Sequence, residues 1–361
     1  MGESAVRLLL SGLDTVEAAY YFRPSLGCLL DFETIGAKRE AMKASKRRDP
    51  VLLELGGKEF MLAGHGTGSG YPFLMENGEA AIQFGEFNNP GFYVTYRSHA
   101  LWHKGAQALH REMRDWATAV RMSHGPEESL SRVDFTFDVE LPVVDFDEDS
   151  FVTLAAKDAQ HRKDRRLQTL RFGEGDTVLR IYDKSAEIQE ASQKTWFHEL
   201  WGGVNANVWR IEFQVRKDVL RRFSIRSFQD LFDGAGDVLR YLVHDHTTLR
   251  VPQNDSNRSR WPLHPLWLLL QDHVDDLPAQ GVIREVDQAA LLKERLIRLA
   301  SSVDGYLKRT AAIDAVRRGL PWVSHAEALD ELDALLRLVH NPLTWRTDVE
   351  KRATQMRLGQ W

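Results

Sequence analysis

Ser131-Arg-Val-Asp-Phe-Thr-Phe-Asp-Val139 alternates apolar and polar residues along almost its whole length. Successive strand side chains point to opposite faces. Val133, Phe135, Phe137 and Val139 therefore share one face, and Arg132, Asp134, Thr136, Asp138 and Glu140 share the other. The run Val208–Arg216 repeats the pattern, with Trp209, Ile211, Phe213 and Val215 inward and Arg210, Glu212, Gln214 and Arg216 outward. Leu167–Phe172 and Thr177–Tyr182 flank Gly173-Glu-Gly-Asp176 and read as a hairpin; Leu179 and Ile181 go inward, while Arg180, Tyr182 and Lys184 take the other side. Three strands that each turn polar groups one way predict a single sheet with a core side and an open side.

Further strands are predicted at Thr15–Phe22, at Ala80–Phe84 after the Asn77-Gly78 turn signal, and at Phe92–Tyr96 after Pro90-Gly91. Ala106, Leu109, Met113, Trp116 and Val120 recur at helical spacing between about Gly105 and Met122, and Gly125-Pro126 closes that stretch. Beyond about Asn254 the spacing turns helical, as in Leu291, Leu292, Leu296, Leu299 and Val303. Another helix is predicted at Ala326–Leu338, with Ser324 as its N-cap. The expected fold class is α+β: a mostly antiparallel sheet with flanking helices, followed by an α-helical C-terminal domain. The polar segment Pro252–Arg260 places the boundary, giving domains 1–253 and 254–361. The sequence shows no internal repeat.

Composition narrows the class. With 43% hydrophobic and 27% charged residues, the 361-residue chain is globular and long enough for two domains. No apolar run reaches the roughly 18 residues of a transmembrane helix, and an acid precedes the short apolar run near the N-terminus, a poor secretory signal. A single cysteine, Cys28, makes neither an internal disulfide nor a thiolate cage. The expectation is a cytoplasmic protein with no membrane partner. The net charge of −5 hides local contrast. Lys38–Arg48 holds six basic residues against one acid, Arg162–Lys184 seven against four, and Arg210–Arg226 six against two, whereas Glu127–Asp149 holds nine acids against one arginine. Phosphate neutralisation is local, so a basic face towards DNA is compatible with this total.

If the three strands are neighbours, their open face carries the carboxylates Asp134 and Glu212, the phenol of Tyr182, and the cations Arg180, Lys184 and Arg210. That inventory suits metal-assisted phosphoryl transfer. Hard oxygen ligands hold Mg²⁺ or Mn²⁺, and a tyrosine attacks the phosphate to form a covalent ester. Nearby cations are expected to favour the tyrosinate.

At the same residues the chain resembles the Rep_trans, or replication initiation factor, family of rolling-circle plasmid initiators, filamentous-phage replication proteins and related conjugative relaxases. The resemblance lies in Arg132-Val-Asp-Phe-Thr-Phe-Asp138, Arg180-Ile-Tyr-Asp-Lys-Ser-Ala-Glu187, Trp209-Arg-Ile-Glu-Phe-Gln-Val-Arg216 and the segment Asp255–Trp267, in the family's order. It covers roughly residues 10 to 270 and leaves the helical tail unmatched. It implies an HUH-like nicking domain that cuts one DNA strand at an origin and leaves a 3′ hydroxyl to prime replication. Tyr182 is then the nucleophile that takes the 5′ phosphate. Asp134 and Glu212 are metal ligands, Asp138 and Glu187 candidates for a third acidic position, and Arg180, Lys184 and Arg210 phosphate-binding residues. Implied partners are an origin hairpin or single strand, a host helicase and a second copy of the chain. A relaxase, or a non-catalytic origin-binding or repressor protein, is the alternative. The turn Gly173–Asp176 departs from the family pattern, which is rich in Ser, Arg and Lys there.

Other features read as structural. His244-Asp-His246 lacks the bulky hydrophobe between paired metal-binding histidines, and His99 and His103 lack the glutamate of a zinc protease motif. Gly64-His-Gly-Thr-Gly-Ser-Gly70 lacks the Gly-Lys-Ser/Thr ending of a P-loop and reads as a loop. Trp196, Phe197 and Trp201 are expected to pack over the sheet, with stacking on unpaired bases as the alternative.

Overall fold

The alternating runs become the strands of one antiparallel sheet. The structure, a computed structural model, describes residues 6–45, 49–163, 165–278 and 288–357. Of the basic run Lys38–Arg48, residues 46–48 lie outside the described residues. Strand β1 is Arg7–Tyr20, longer than the predicted Thr15–Phe22. A meander follows: β2 (Val51–Leu55), β3 (Lys58–Leu62), β4 (Phe73–Glu76), β5 (Ala80–Phe84) and β6 (Phe92–Tyr96). The second long strand, β7 (Ser129–Glu140), is followed by β8 (Asp158–Lys163), β9 (Arg166–Phe172), β10 (Thr177–Asp183) and β11 (Val208–Arg216). The 11-stranded order is β8-β9-β10-β11-β7-β1-β6-β5-β4-β3-β2. Each half therefore follows one path: a long central strand, a meander that works inward, and a last strand that pairs with the central one. This topological repeat has no counterpart visible in the sequence.

Period-2 patterning decides which face carries the main hydrophobic core. Phe135, Phe137, Ile211, Phe213, Leu179 and Ile181 are buried on one side, together with Val94, Ile82 and Met75 from the first half. Helix α1 (Phe32–Ala44) follows β1. Gly105, at φ 83°, separates α2 (Ser98–Lys104) from α3 (Ala106–Ala119), so the predicted stretch is one helix with a short partner before it. Leu109, Met113 and Trp116 of α3 are buried, and Trp116 meets Phe60 and Phe92 edge-on. Helix α4 (Lys184–Glu187) follows β10 directly, and α5 (Phe228–Arg240) follows the β11 region.

Contacts divide the chain into two units, Met1–Val286 and Asp287–Trp361. The polar segment Pro252–Arg260 predicts a boundary at 253/254 instead. The difference arises at α6 (Pro265–Asp275), which buries Leu266, Trp267, Leu270 and Val274. Trp267 has no exposed surface, packs against Phe213 and Phe151, and donates through Nε1 to the Val243 carbonyl at 2.8 Å. The polar segment before it is a surface excursion rather than a linker. In the second unit, α7 (Gln288–Arg318) and α8 (His325–Val339) are the expected helices, Ser324 caps α8 in a reciprocal box with Glu327, and α9 (Pro342–Arg357) is a further helix that the sequence reading did not delimit. No helix among the described residues is long and apolar enough to cross a membrane.

Truncating a buried Trp forfeits its packing and leaves a cavity, so Trp267→Ala should cost about 3–5 kcal/mol in urea denaturation. A loss below about 1 kcal/mol, the range of surface substitutions, would return α6 to the tail.

Candidate active site

The register of the central strands assembles the polar rows. Tyr182 of β10 pairs with Arg210 of β11, which pairs with Asp138 of β7. One step along, Arg180 pairs with Glu212, which pairs with Thr136; beyond them Gln214 pairs with Asp134. The three motif strands are thus adjacent, as the alternation predicted, with their polar residues on one face.

The phenol and one acid meet directly. The Tyr182 hydroxyl donates to Glu212 Oε2 at 3.2 Å, while Arg180 Nη1 lies 2.8 Å from Glu212 Oε1 and its Nη2 donates to Gln214 at 3.1 Å. Tyr182 is half-buried. Burial pushes its hydroxyl well above the ordinary tyrosine range; Arg210 opposes this, and Glu212, Asp14 and Asp138 add to it. The expected tyrosinate is therefore corrected. Arg180, Lys184 and Arg210 are each paired with carboxylates, and the phenol keeps its proton.

Asp134 sits beside this pair, 2% exposed, with both oxygens on Arg132 at 2.8 and 2.5 Å. Burial raises its carboxyl to about 6 despite the Arg132 fork, and Glu212 contributes in the same direction. Arg132 also reaches Glu17 at 3.4 Å, and Glu17 accepts from the Tyr93 hydroxyl at 2.6 Å.

Arg210 and Asp138 do something other than the sequence suggested. Arg210 has no exposed surface. Its Nε and Nη2 donate to the two Asp138 oxygens at 2.6 and 2.8 Å, and its Nη1 donates to Asp14 at 2.6 Å. Trp201 Nε1 takes the remaining approach to Asp138 at 2.9 Å. A guanidinium so enclosed cannot reach a phosphate, and an Asp138 so saturated has no oxygen directed to a metal. Lys184, 2% exposed, pairs with Glu187 at 2.5 Å and lies 5.6 Å from the Tyr182 ring centroid. Burial, then Arg210, lowers its pKa. Glu187 also accepts from Ser192 and is not brought onto Asp134 or Glu212.

The reason is a roof over this end of the open face. Ile188, Phe197, Trp201 and Val208 form a second apolar cluster, joined by Trp102, Trp196 and Leu10. Phe197 stacks between Trp196 and Trp201 and lies 4.4 Å from the Arg210 guanidinium. The tryptophans pack over the sheet, as expected. Gly12 admits Trp102, whose ring would stand 2.7 Å from a Cβ there.

Two residues escaped the sequence reading. Asp14 lies at a register shift in β1, between Leu13 and Thr15, which turns it onto Ser98, Trp102 and Arg210. Burial would raise its carboxyl, but Arg210, Lys194 and the two side-chain donors outweigh it and hold it at about 2. Arg171 of β9 stands opposite Arg180 and is exposed. Period-2 alternation in Leu167–Phe172 would have found it, since it follows from the register of the hairpin.

The donor set does not present a prepared cradle for Mg²⁺ or Mn²⁺. Among the described residues no three His, Cys, Asp or Glu side chains converge. A divalent ion would have to displace Arg132 from Asp134 and Arg180 from Glu212. His244 binds Asp275 and His246 binds Thr247, so that pair does not converge either.

No protein-family model matches the chain, and no curated protein sequence matches it. Among solved structures the chain is similar to the rolling circle replication initiator protein from Geobacillus stearothermophilus, with 15% identity and a TM-score of 0.42 over 76% of this chain and 98% of that one.

The buried charges have measurable consequences. Arg210→Met should destabilise the fold by about 3–5 kcal/mol, because it strands two buried carboxylates; a phosphate contact at this position would instead leave thermal stability intact. The Asp14 carboxyl, lowered from 3.8 to about 2, contributes stability that is present above the unfolded value and lost as pH falls through about 2. Asp134, raised from 3.8 to about 6, acts oppositely: the fold binds its proton, so its contribution declines as pH rises across that window. Carboxyl ¹³C NMR should show a titration near 6 that vanishes in Asp134→Asn.

Proposed function

We propose that the protein is a DNA strand transferase of the rolling-circle initiator type, with Tyr182 as its nucleophile. What supports this reading is the hydrogen bond from the Tyr182 hydroxyl to Glu212 on an otherwise roofed polar face. A neutral phenol needs a proton acceptor as it attacks, and Glu212 Oε2 is in place to be one. In this reaction Tyr182 Oη attacks the phosphorus and its proton passes to Glu212. The bond from phosphorus to the 3′ oxygen breaks, and that oxygen leaves as a 3′ hydroxyl after taking a proton from water. The DNA end stays joined to the protein as a 5′-phosphotyrosyl ester.

Arg180, anchored on Glu212, and Arg171 opposite it would hold the non-bridging oxygens. Like charges directly opposite in a sheet repel, so a phosphate between them removes a cost as well as adding a contact. Arg210 and Lys184 are positioning residues in this scheme. A second copy of the chain is also proposed as a partner. Val316, Leu338, Val339 and Leu343 of the second unit are each at least 77% exposed, and exposed apolar surface is what subunit contacts bury.

The test is incubation with supercoiled and single-stranded DNA, with Mn²⁺, with Mg²⁺ and with chelator, followed by mass spectrometry for a nucleotide on Tyr182. Tyr182→Phe should abolish the adduct and leave DNA affinity unchanged, and Glu212→Gln should slow nicking by roughly 10²–10⁴-fold. A wild-type protein that binds DNA without ever nicking it would leave the origin-binding or repressor reading in its place.

A further inference from the structure

Beyond the site, β8 and β9 form a ribbon at one edge of the sheet. All six residues of β8 are exposed, so neither of its faces is packed. Lys163 pairs with Arg166 across the tip, and Arg165 in the turn has φ 64°. From Lys157 to Arg171 the chain carries Lys157, Arg162, Lys163, Arg165, Arg166 and Arg171 against Asp158 and Asp164. Lys157 and Lys163 pair with Glu174 and Glu190. Among the described residues Arg165, Arg166 and Arg171 have no ion pair.

Register ties the ribbon to the nucleophile. His161 pairs with Thr169, and Thr169 pairs with Tyr182. Arg166 is three residues from Thr169, about 10 Å along the strand. Successive phosphates of one DNA strand advance about 3.4 Å along the helix axis, so the tip lies about three nucleotide steps from the Tyr182 row. A two-stranded ribbon is one of the two elements that fit the major groove of duplex DNA.

The tip residue is itself informative. Positive φ favours Gly or Asn, because other L side chains crowd the backbone there. Arg165 holds that position against its own conformational preference, which makes sense if its guanidinium is what the tip requires. Cations on an edge strand also discourage strand pairing between molecules, but that function needs no particular residue in the turn.

Resting on the proposed DNA-cutting reading, we infer that the β8–β9 ribbon is a duplex-gripping arm, in which Arg165 and Arg166 bind backbone phosphates of the double-stranded DNA that flanks the nicked strand. The full-length Arg165→Asn/Arg166→Gln protein is compared with the wild type. Asn suits the positive φ, so the variant keeps or gains thermal stability. The probes are a duplex oligonucleotide with a single-stranded tail, and the single strand alone, each titrated against salt. The expected result is a fall of about two in the slope of log affinity against log salt for the tailed duplex, at roughly 0.9 per lost contact. Single-strand affinity and Tyr182-dependent nicking of the single strand should stay unchanged. An unaltered duplex slope, or an equal loss on both probes, overturns the arm while leaving the nicking reading intact. A wild type that neither binds nor nicks either probe overturns both.

Discussion

An arginine without solvent contact holds this site together. Arg210 lies on β11, beside the central strand β7, and a buried guanidinium is tolerable only when carboxylates neutralise it and its donors are used. Asp138 supplies a two-point match from β7, and Asp14 supplies the second charge from β1. One side chain thus links the last strand of the second half to both long central strands. The aromatic roof of Phe197 and Trp201 excludes water from this pairing and is held in place by it through Trp201 Nε1.

The same burial sets the chemistry available to Tyr182. The surrounding charges are balanced in pairs: Arg132 with Asp134, Arg180 with Glu212, Lys184 with Glu187. A phenol in such a setting is not ionised by a nearby excess of positive charge. It is kept protonated by low polarity and directed at a carboxylate acceptor. Glu212 therefore has two partners, one on each oxygen: Arg180 on Oε1 and Tyr182 on Oε2.

Much of this was legible in residue order. Three period-2 runs predicted which side chains share a face, and the sheet places β10, β11 and β7 side by side. What alternation cannot say is whether that face is covered. Arg210, Asp138 and Lys184 have the same parity as Glu212, yet the segment after α4 covers them and leaves Tyr182 at the margin. That segment looked polar because its few aromatic residues are dispersed among Gln, Glu, Ser and Gly. Asp14 was hidden for another reason: a bulge breaks the two-residue period that would have assigned it to this face. The domain boundary followed a polar stretch, whereas the chain beyond it returns to bury Trp267.

The repeated chain path has a consequence for how the molecule divides its work. Both halves lay down a central strand and build inward towards it, so the architecture offers two equivalent frameworks. The phenol–carboxylate pair Tyr182–Glu212 occupies the second, while the first brings Glu17 and Tyr93 to the seam between them. On the proposed strand-transfer reading, one framework carries the reactive groups, which tolerate few replacements, and the other is released from that burden. Drift in sequence should accumulate unequally across the seam, with β2 to β5 the freer ground.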